Sequence, residues 1–119
     1  MSDGTHLQVV AETAQYLNKA EKLLSAVERE EIVFLIADSP ECGELMVGTG
    51  GVRKVRFGRQ GSGKSGGVRI IYFYYDRDMP IYILTVFAKN QKDNLSKAER
   101  NQLKKLTEIL VQAYKSRRS

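Results

Sequence analysis

The stretch GVRIIYFYYDRDMPIYILTVFAKN, residues 67–90, decides what kind of fold this chain can form. Both of its ends are rich in β-branched and aromatic residues, which favour strands, and DRDMP between them is typical of a turn. This stretch therefore predicts an antiparallel hairpin. Just before it, GVRKVRF (51–57) has the two-residue alternation of a third strand, with Lys54 and Arg56 on the opposite face from Arg53.

The residues before these strands predict a short strand followed by two helices. LQVVAET (7–13) contains a β-favouring run, and Thr13 can cap the helix that follows. SAVE (25–28) is a capping-box pattern, so a second helix is expected to begin there. That helix should end before Pro40, because the residue preceding a proline disfavours helical geometry.

The carboxyl-terminal segment predicts one more helix, in which Ser96 and Glu99 form a second capping box. An apolar stripe is expected to be its buried side: Leu103, Leu106, Leu110 and Ala113. The element order is then β-α-α-β-β-β-α. We interpret it as an α+β fold, a small antiparallel sheet with helices packed on one face, in a single domain that covers residues 1–119.

Composition narrows the chemistry that this chain can perform. Cys42 and His6 are its only cysteine and histidine, and no acidic cluster is evident, so no disulfide framework, metal site or other cofactor is expected. No apolar run approaches the ~20 residues of a membrane-spanning helix, and the amino terminus lacks the regions of a signal peptide. We expect a cytoplasmic protein that does not associate with membranes.

Basic residues are concentrated in the centre of the chain. Residues 48–75 contain six cations and no acidic residue, which suits a polyanionic partner such as nucleic acid or an acidic protein segment. A solvated basic face is the alternative interpretation. The six cations are Arg53, Lys54, Arg56, Arg59, Lys64 and Arg69.

One segment of this basic region, GRQGSGKS (58–65), fits the phosphate-loop pattern G-x-x-x-x-G-K-[ST]. A phosphate loop lies between a strand and a helix, whose amino terminus binds the phosphates. Here the residues that follow favour a strand, and the chain lacks parallel βαβ units. We interpret the segment as a hairpin loop that carries a mobile cation, Lys64, and expect no nucleotide binding.

Three adjacent antiparallel strands would bring several cations to one end of the sheet. Lys54, Arg56 and Arg69 lie on these strands, and Lys89 and Lys92 follow the last of them. Such a cluster favours phosphodiester backbones, because charge-assisted hydrogen bonds to phosphate are strong and arginine can bind phosphate with two parallel bonds.

Three further groups of residues occur in an order that resembles the RelE/HigB superfamily of bacterial toxins, in particular its HigB-like branch: GTGGVRKVRF (48–57), GKSGGVRIIY (63–72), and LTVFAKN (84–90) followed by LSKAER (95–100). The resemblance covers about half of the chain and implies a RelE-like fold. It also implies the toxin of a type II toxin–antitoxin system, an mRNA interferase that cleaves mRNA on the ribosome and inhibits translation. A co-expressed antitoxin, expected to be HigA-like with a helix-turn-helix, would silence it.

The resemblance also assigns roles to residues. It implies catalytic roles for Lys54 and Arg56 on the first central strand, for Arg69 early in the next strand, and for Lys89 after the last one. The cations expected to bind RNA are Arg53, Arg59, Lys64 and Lys92. Some relatives have a tyrosine or histidine beyond the last strand, where this chain has NQKDNLS (90–96), so the general acid and base remain open.

The reaction that the resemblance implies is metal-independent attack by the 2′-hydroxyl of the RNA itself, which needs a base, a group that stabilises charge on the phosphate, and an acid. Neighbouring like charges favour the neutral form of a lysine, so Lys54 is the hypothetical base. Arg56 and Arg69 would contact the phosphate, and Lys64 or Lys89 would bind it or donate a proton. The alternatives are a ParE-like toxin that inhibits DNA gyrase and a module that binds RNA or the ribosome without cleaving.

Overall fold

In the computed structural model, residues 7–58, 67–89 and 94–118 are described. They form eight elements in chain order: β1 (Val10–Glu12), α1 (Ala14–Leu23), α2 (Ala26–Asp38), β2 (Glu44–Leu45), β3 (Val52–Phe57), β4 (Val68–Phe73), β5 (Ile81–Ala88) and α3 (Lys97–Arg118). Apart from β2, this is the predicted order.

All three helices begin at the predicted caps. The Thr13 hydroxyl accepts a hydrogen bond from the Tyr16 amide at the start of α1. At α2 the Ser25 amide donates to Glu28 Oε1 at 2.8 Å and the Glu28 amide donates to Ser25 Oγ at 3.1 Å. Ser96 and Glu99 exchange the same pair of bonds at the start of α3, at 2.8 and 3.1 Å. Each side chain therefore satisfies backbone amides that the first turn of a helix leaves free.

The five strands form one sheet in the order β1-β5-β4-β3-β2. The central strands β3, β4 and β5 are antiparallel neighbours, as predicted. The sheet as a whole is mixed, because β1 pairs with β5 in parallel, and the expectation of a purely antiparallel sheet is wrong at that edge. No hairpin links these two strands; instead, β1 is held by long-range contacts such as the 2.8 Å bond from the Thr13 hydroxyl to the Ile83 carbonyl.

Helices cover both faces of the sheet, so the prediction that they pack on one face is wrong for α3. The helices α1 and α2 bury Tyr16 and Ile32 against Ile70 and Tyr72 on one face. On the other face, α3 packs against a second core that contains Phe73. All six residues of β4 are buried, and a strand that is apolar on both sides needs a layer on each.

The buried side of α3 is also rotated from the predicted stripe. Leu103 and Leu110 pack on the core, but Leu106 is 38% exposed and Ala113 is exposed. Thr107, which is not part of the predicted stripe, is buried instead, and its hydroxyl donates to the Thr49 carbonyl at 3.2 Å. The contact with the turn before β3 therefore sets the rotation of the helix, and apolar spacing alone does not reveal it.

Two tyrosines, Tyr16 and Tyr72, are fully buried, but their hydroxyls differ in bonding. The Tyr72 hydroxyl donates to the Pro40 carbonyl at 2.7 Å and accepts from the Gly43 amide at 2.9 Å. The Tyr16 hydroxyl has no hydrogen-bond partner within the described part of the chain. Burial raises the pKa of both phenols, that of Tyr16 to about 12.

Replacing Tyr72 with phenylalanine is expected to lower the free energy of unfolding by about 1–3 kcal/mol, because the Pro40 carbonyl and the Gly43 amide lose their partner. Tyr16→Phe removes a hydroxyl that makes no such bond and should cost much less. Urea denaturation of both variants measures the difference. Equal losses would contradict a bridging role for the Tyr72 hydroxyl.

Candidate functional site

The alternation predicted for β3 places Lys54 and Arg56 on the face of the sheet that α3 partly covers, and Arg53 on the opposite face. Val55 and Phe57 pack against the core under α1 and α2, and Val52 belongs to the core under α3. Lys54 and Arg56 share the face of Val52, since successive side chains of a strand point to opposite sides. Lys54 and Arg56 are thus both available to a ligand on the face of the sheet that α3 partly covers.

A pocket of about 380 Å³ lies on this side of the sheet. Its lining contains all four cations for which a catalytic role is expected, together with one carboxylate: Lys54, Arg56, Arg69, Lys89 and Glu44. Lys54 and Arg56 come from β3, Arg69 comes from β4, and Lys89 directly follows β5. Three neighbouring strands thus bring together charges that are up to 35 residues apart in the sequence.

Arg69 is the most buried charge of the pocket. Only 7% of the residue is exposed, and its Nη1 atom is buried without a hydrogen-bond partner among the described residues. A buried guanidinium is costly unless an acceptor pairs with it. Its position in a pocket rich in positive charge therefore suits an anion that would supply the missing acceptor.

The pairing of β3 with β4 strengthens this conclusion. Arg56 and Arg69 are direct partners across the two strands. Like charges placed opposite one another destabilise a sheet. An anionic group bound between two guanidinium groups would relieve their repulsion, and arginine geometry matches phosphate oxygens in particular.

Glu44 is the residue of the pocket that the sequence did not reveal. It lies on β2 and is the partner of Lys54 across the β2–β3 pair. β2 has only two residues, and both are exposed. A strand of this length is too short to show an alternation of apolar and polar residues in the sequence. The segment therefore had the appearance of a loop, and its proximity to Lys54 follows only from the sheet.

Arg53 is not among the residues that line the pocket. Its Nη1 donates to the Gly43 carbonyl at 2.8 Å, and its Nη2 lies 3.8 Å from a Glu41 carboxylate oxygen. The structure thus gives this guanidinium a role in holding residues 41–43, and its RNA-binding role stays a prediction. The other three residues of that prediction, Arg59, Lys64 and Lys92, lie outside the described residues.

The glycine-rich segment 58–65 falls almost wholly outside the described residues, but both of its flanks are described. Phe57 and Val68 are partners in the antiparallel pair of β3 and β4. The segment thus connects two strands of a hairpin, as predicted, and β4 occupies the position where a phosphate loop would continue into a helix.

The described residues contain neither a metal-binding cluster nor a membrane-spanning helix. Over 7–58, 67–89 and 94–118, no group of three or more histidine, cysteine, aspartate or glutamate residues is placed to hold a metal ion. None of the helices in those ranges is both long and apolar enough to cross a membrane.

The sheet, its two helical layers and the cationic pocket define a small α+β protein. Residues 19–117 match the family described as the RelE toxin of the RelE/RelB toxin–antitoxin system. The chain therefore belongs to the RelE toxin family, and this membership implies a cognate antitoxin as its partner. Assignment to the HigB-like branch stays a prediction.

The fold agrees with that family. The structure is similar to that of the E. coli toxin RelE in the free state, in a mutant with two arginines replaced by alanine; the TM-score is 0.53 and the sequence identity is 17%. The similarity covers 73% of this chain and 88% of the E. coli chain. At this identity the comparison supports the predicted RelE-like fold and carries no information on individual site residues.

Proposed function

We propose that this protein is a ribosome-dependent mRNA endonuclease of the HigB-like branch, which stops translation in the cytoplasm by cutting mRNA in the ribosomal A site. The observation that carries the proposal is the buried Arg69 guanidinium, whose Nη1 has no hydrogen-bond partner among the described residues and which lies in a pocket that Lys54, Arg56 and Lys89 also line. A phosphodiester supplies the acceptor oxygens that this group lacks, and the family supplies the context of a toxin.

In this proposal the RNA cleaves itself within the pocket. The 2′-oxygen attacks the adjacent phosphorus, and Arg56 and Arg69 bind the phosphate oxygens on which negative charge accumulates. The bond from phosphorus to the 5′-oxygen then breaks, leaving a 2′,3′-cyclic phosphate and a 5′-hydroxyl. The four side chains supply positive charge that a metal ion supplies in other nucleases, so the step is proposed to be metal-independent.

Proton transfer needs groups other than the arginines, which do not lose their protons in proteins. Lys54 is the proposed base, and Lys64 or Lys89 would bind the phosphate or donate a proton. Lys54 and Lys89 both line the pocket. Arg53, Arg59, Lys64 and Lys92 are proposed to bind the RNA.

The antitoxin is proposed to be HigA-like, with a helix-turn-helix, and to shield the pocket. An acidic segment laid across the cations would supply carboxylate acceptors to the same groups that bind phosphate. No nucleotide and no metal ion take part in this proposal.

Induced expression followed by mapping of mRNA 5′ ends tests the proposed function. New ends at a fixed position within codons are expected with the wild-type chain and not with Arg69→Ala. Intact transcripts with altered DNA supercoiling would instead support a ParE-like gyrase inhibitor. Intact transcripts together with ribosome-bound protein would support the non-cleaving module.

A further inference from the structure

We propose that Glu44 is a further catalytic residue, the base that receives the proton of the 2′-hydroxyl, and that the Tyr72 hydroxyl is a positioning residue for it. This inference rests on the proposed endonuclease function and specifies which group of the pocket starts the reaction. It modifies the hypothesis for Lys54, which becomes a proton donor.

The sheet brings Glu44 into the pocket. Glu44 and Lys54 are partners on the antiparallel strands β2 and β3. Both residues line the pocket that also contains Arg69. Among the described residues of this lining Glu44 is the single carboxylate, beside four positively charged side chains.

The chemistry of these groups favours the carboxylate as the base. Carboxylic acids are ordinarily ionised above about pH 5, whereas lysine ammonium groups ordinarily keep their proton to about pH 10. At neutral pH a carboxylate is therefore ready to accept a proton, while a lysine is ready to donate one. A base and an acid are then both present in the state that the reaction requires.

Two proton transfers accompany the proposed cleavage step. The proton leaves the 2′-hydroxyl for the Glu44 carboxylate as the new bond from the 2′-oxygen to phosphorus forms. The bond between phosphorus and the 5′-oxygen breaks, and that oxygen receives a proton from the Lys54 ammonium. Water later returns Glu44 and Lys54 to their starting states.

The Tyr72 hydroxyl holds the segment that carries Glu44. It donates to the Pro40 carbonyl and accepts from the amide of Gly43, the residue next to Glu44. On the other side of Gly43, its carbonyl accepts the 2.8 Å bond from Arg53. Glu44 itself is exposed on a two-residue strand, so these bonds, together with the pairing of β2 with β3, fix the backbone that carries it.

The space around Gly43 shows how closely this segment is packed. A Cβ atom added at Gly43 would lie 2.8 Å from the Tyr72 hydroxyl oxygen and 3.0 Å from the Lys54 carbonyl oxygen. Both distances are shorter than ordinary contacts of a carbon atom. A side chain at position 43 would therefore push β2 away from Tyr72 and from β3.

The first experiment compares Glu44→Gln with the wild type in single-turnover cleavage of mRNA on programmed ribosomes. Glutamine keeps the shape of the side chain but cannot accept the proton, and the rate is expected to fall by about 10²–10⁴-fold. The affinity for the ribosome should change little. Glu21 is an exposed glutamate on α1, the helix that covers the opposite face of the sheet. Glu21→Gln is therefore the matched control and should retain the wild-type rate.

The pH dependence separates this role from a purely structural one. With a carboxylate base the wild-type rate should rise with pH in the acidic range and level off before neutrality, and Glu44→Gln should lose that rise. A rate that continues to rise above pH 8, unchanged by Glu44→Gln, would assign the base to a lysine and overturn the proposal.

The second experiment tests whether Tyr72 acts through Glu44. Tyr72→Phe is expected to slow cleavage in the wild type but not in the Glu44→Gln background, because residues that act through one another are not additive. Tyr16→Phe, at the other fully buried tyrosine, should leave the rate unchanged. Equal slowing by Tyr72→Phe in both backgrounds would show that its effect does not pass through Glu44.

The cleavage assays distinguish failure of the proposed endonuclease function from failure of the proposed role of Glu44. A wild-type chain that does not cleave mRNA on ribosomes would overturn the endonuclease function and, with it, the role of Glu44. A wild-type chain that cleaves, together with a Glu44→Gln variant of equal rate, would overturn the role of Glu44 alone.

Discussion

Replacing Arg69 with alanine is expected to reduce single-turnover cleavage of mRNA on ribosomes by about 10³-fold, the upper range for loss of one preorganised donor to a developing charge. Arg69 is buried, and its Nη1 atom has no acceptor among the described residues, so this atom can donate to a phosphate oxygen. The fold should persist, because the substitution removes a charge that faces Arg56 across the sheet. Circular dichroism and urea denaturation measure this second expectation.

Arg69→Lys is the informative control for this prediction. Lysine keeps the positive charge but cannot form two parallel bonds to a phosphate, so its rate should lie between those of the wild type and Arg69→Ala. Full activity of Arg69→Ala would contradict the assignment. Loss of activity together with unfolding would mean that Arg69 supports the sheet rather than the reaction.

Replacing Lys54 with methionine is expected to slow cleavage by about 10²–10⁴-fold, the usual contribution of a positioned acid or base. Methionine retains much of the length of the lysine side chain and removes its proton and charge. The expectation holds whether Lys54 accepts the first proton or donates the second, because the residue lines the pocket and pairs with Glu44. The rate on programmed ribosomes, compared with the affinity for the ribosome, is the measurement.

A further variant and a control show whether the cleavage rate depends on the proton of Lys54 or only on its charge. Lys54→Arg restores the charge, but arginine does not release its proton, so binding should recover while the rate stays low. Lys22→Met, at an exposed position in the last turn of α1, should have the wild-type rate. A Lys54→Arg variant with full activity would restrict Lys54 to electrostatic binding.

Much of the site was predictable because it depends on local patterns. The alternation in residues 52–57 determines which face of the sheet carries Lys54 and Arg56. The antiparallel pairing of β4 with β3 and β5 determines which residues lie next to Arg69. Both predictions were confirmed because the period of a strand and the direction of a hairpin are set by nearby residues. The capping boxes at Ser25 and Ser96 were predictable for the same reason.

The features that the sequence did not reveal depend on distant contacts. The direction of β1 is set by its pairing with β5, which is about 70 residues away. The face chosen by α3 follows from the need to cover both sides of β4. Glu44 enters the pocket because Tyr72 and Arg53 hold the segment before β2, and no periodicity within that segment indicates those contacts.

Cleavage of a defined, end-labelled mRNA by the purified protein, with and without ribosomes, is the decisive test of the proposed endonuclease function. We expect cuts within the A-site codon, a 2′,3′-cyclic phosphate on the upstream fragment, and no cleavage of free mRNA at the same protein concentration. Intact mRNA on ribosomes that are saturated with the protein, or equal cleavage with and without ribosomes, would contradict it.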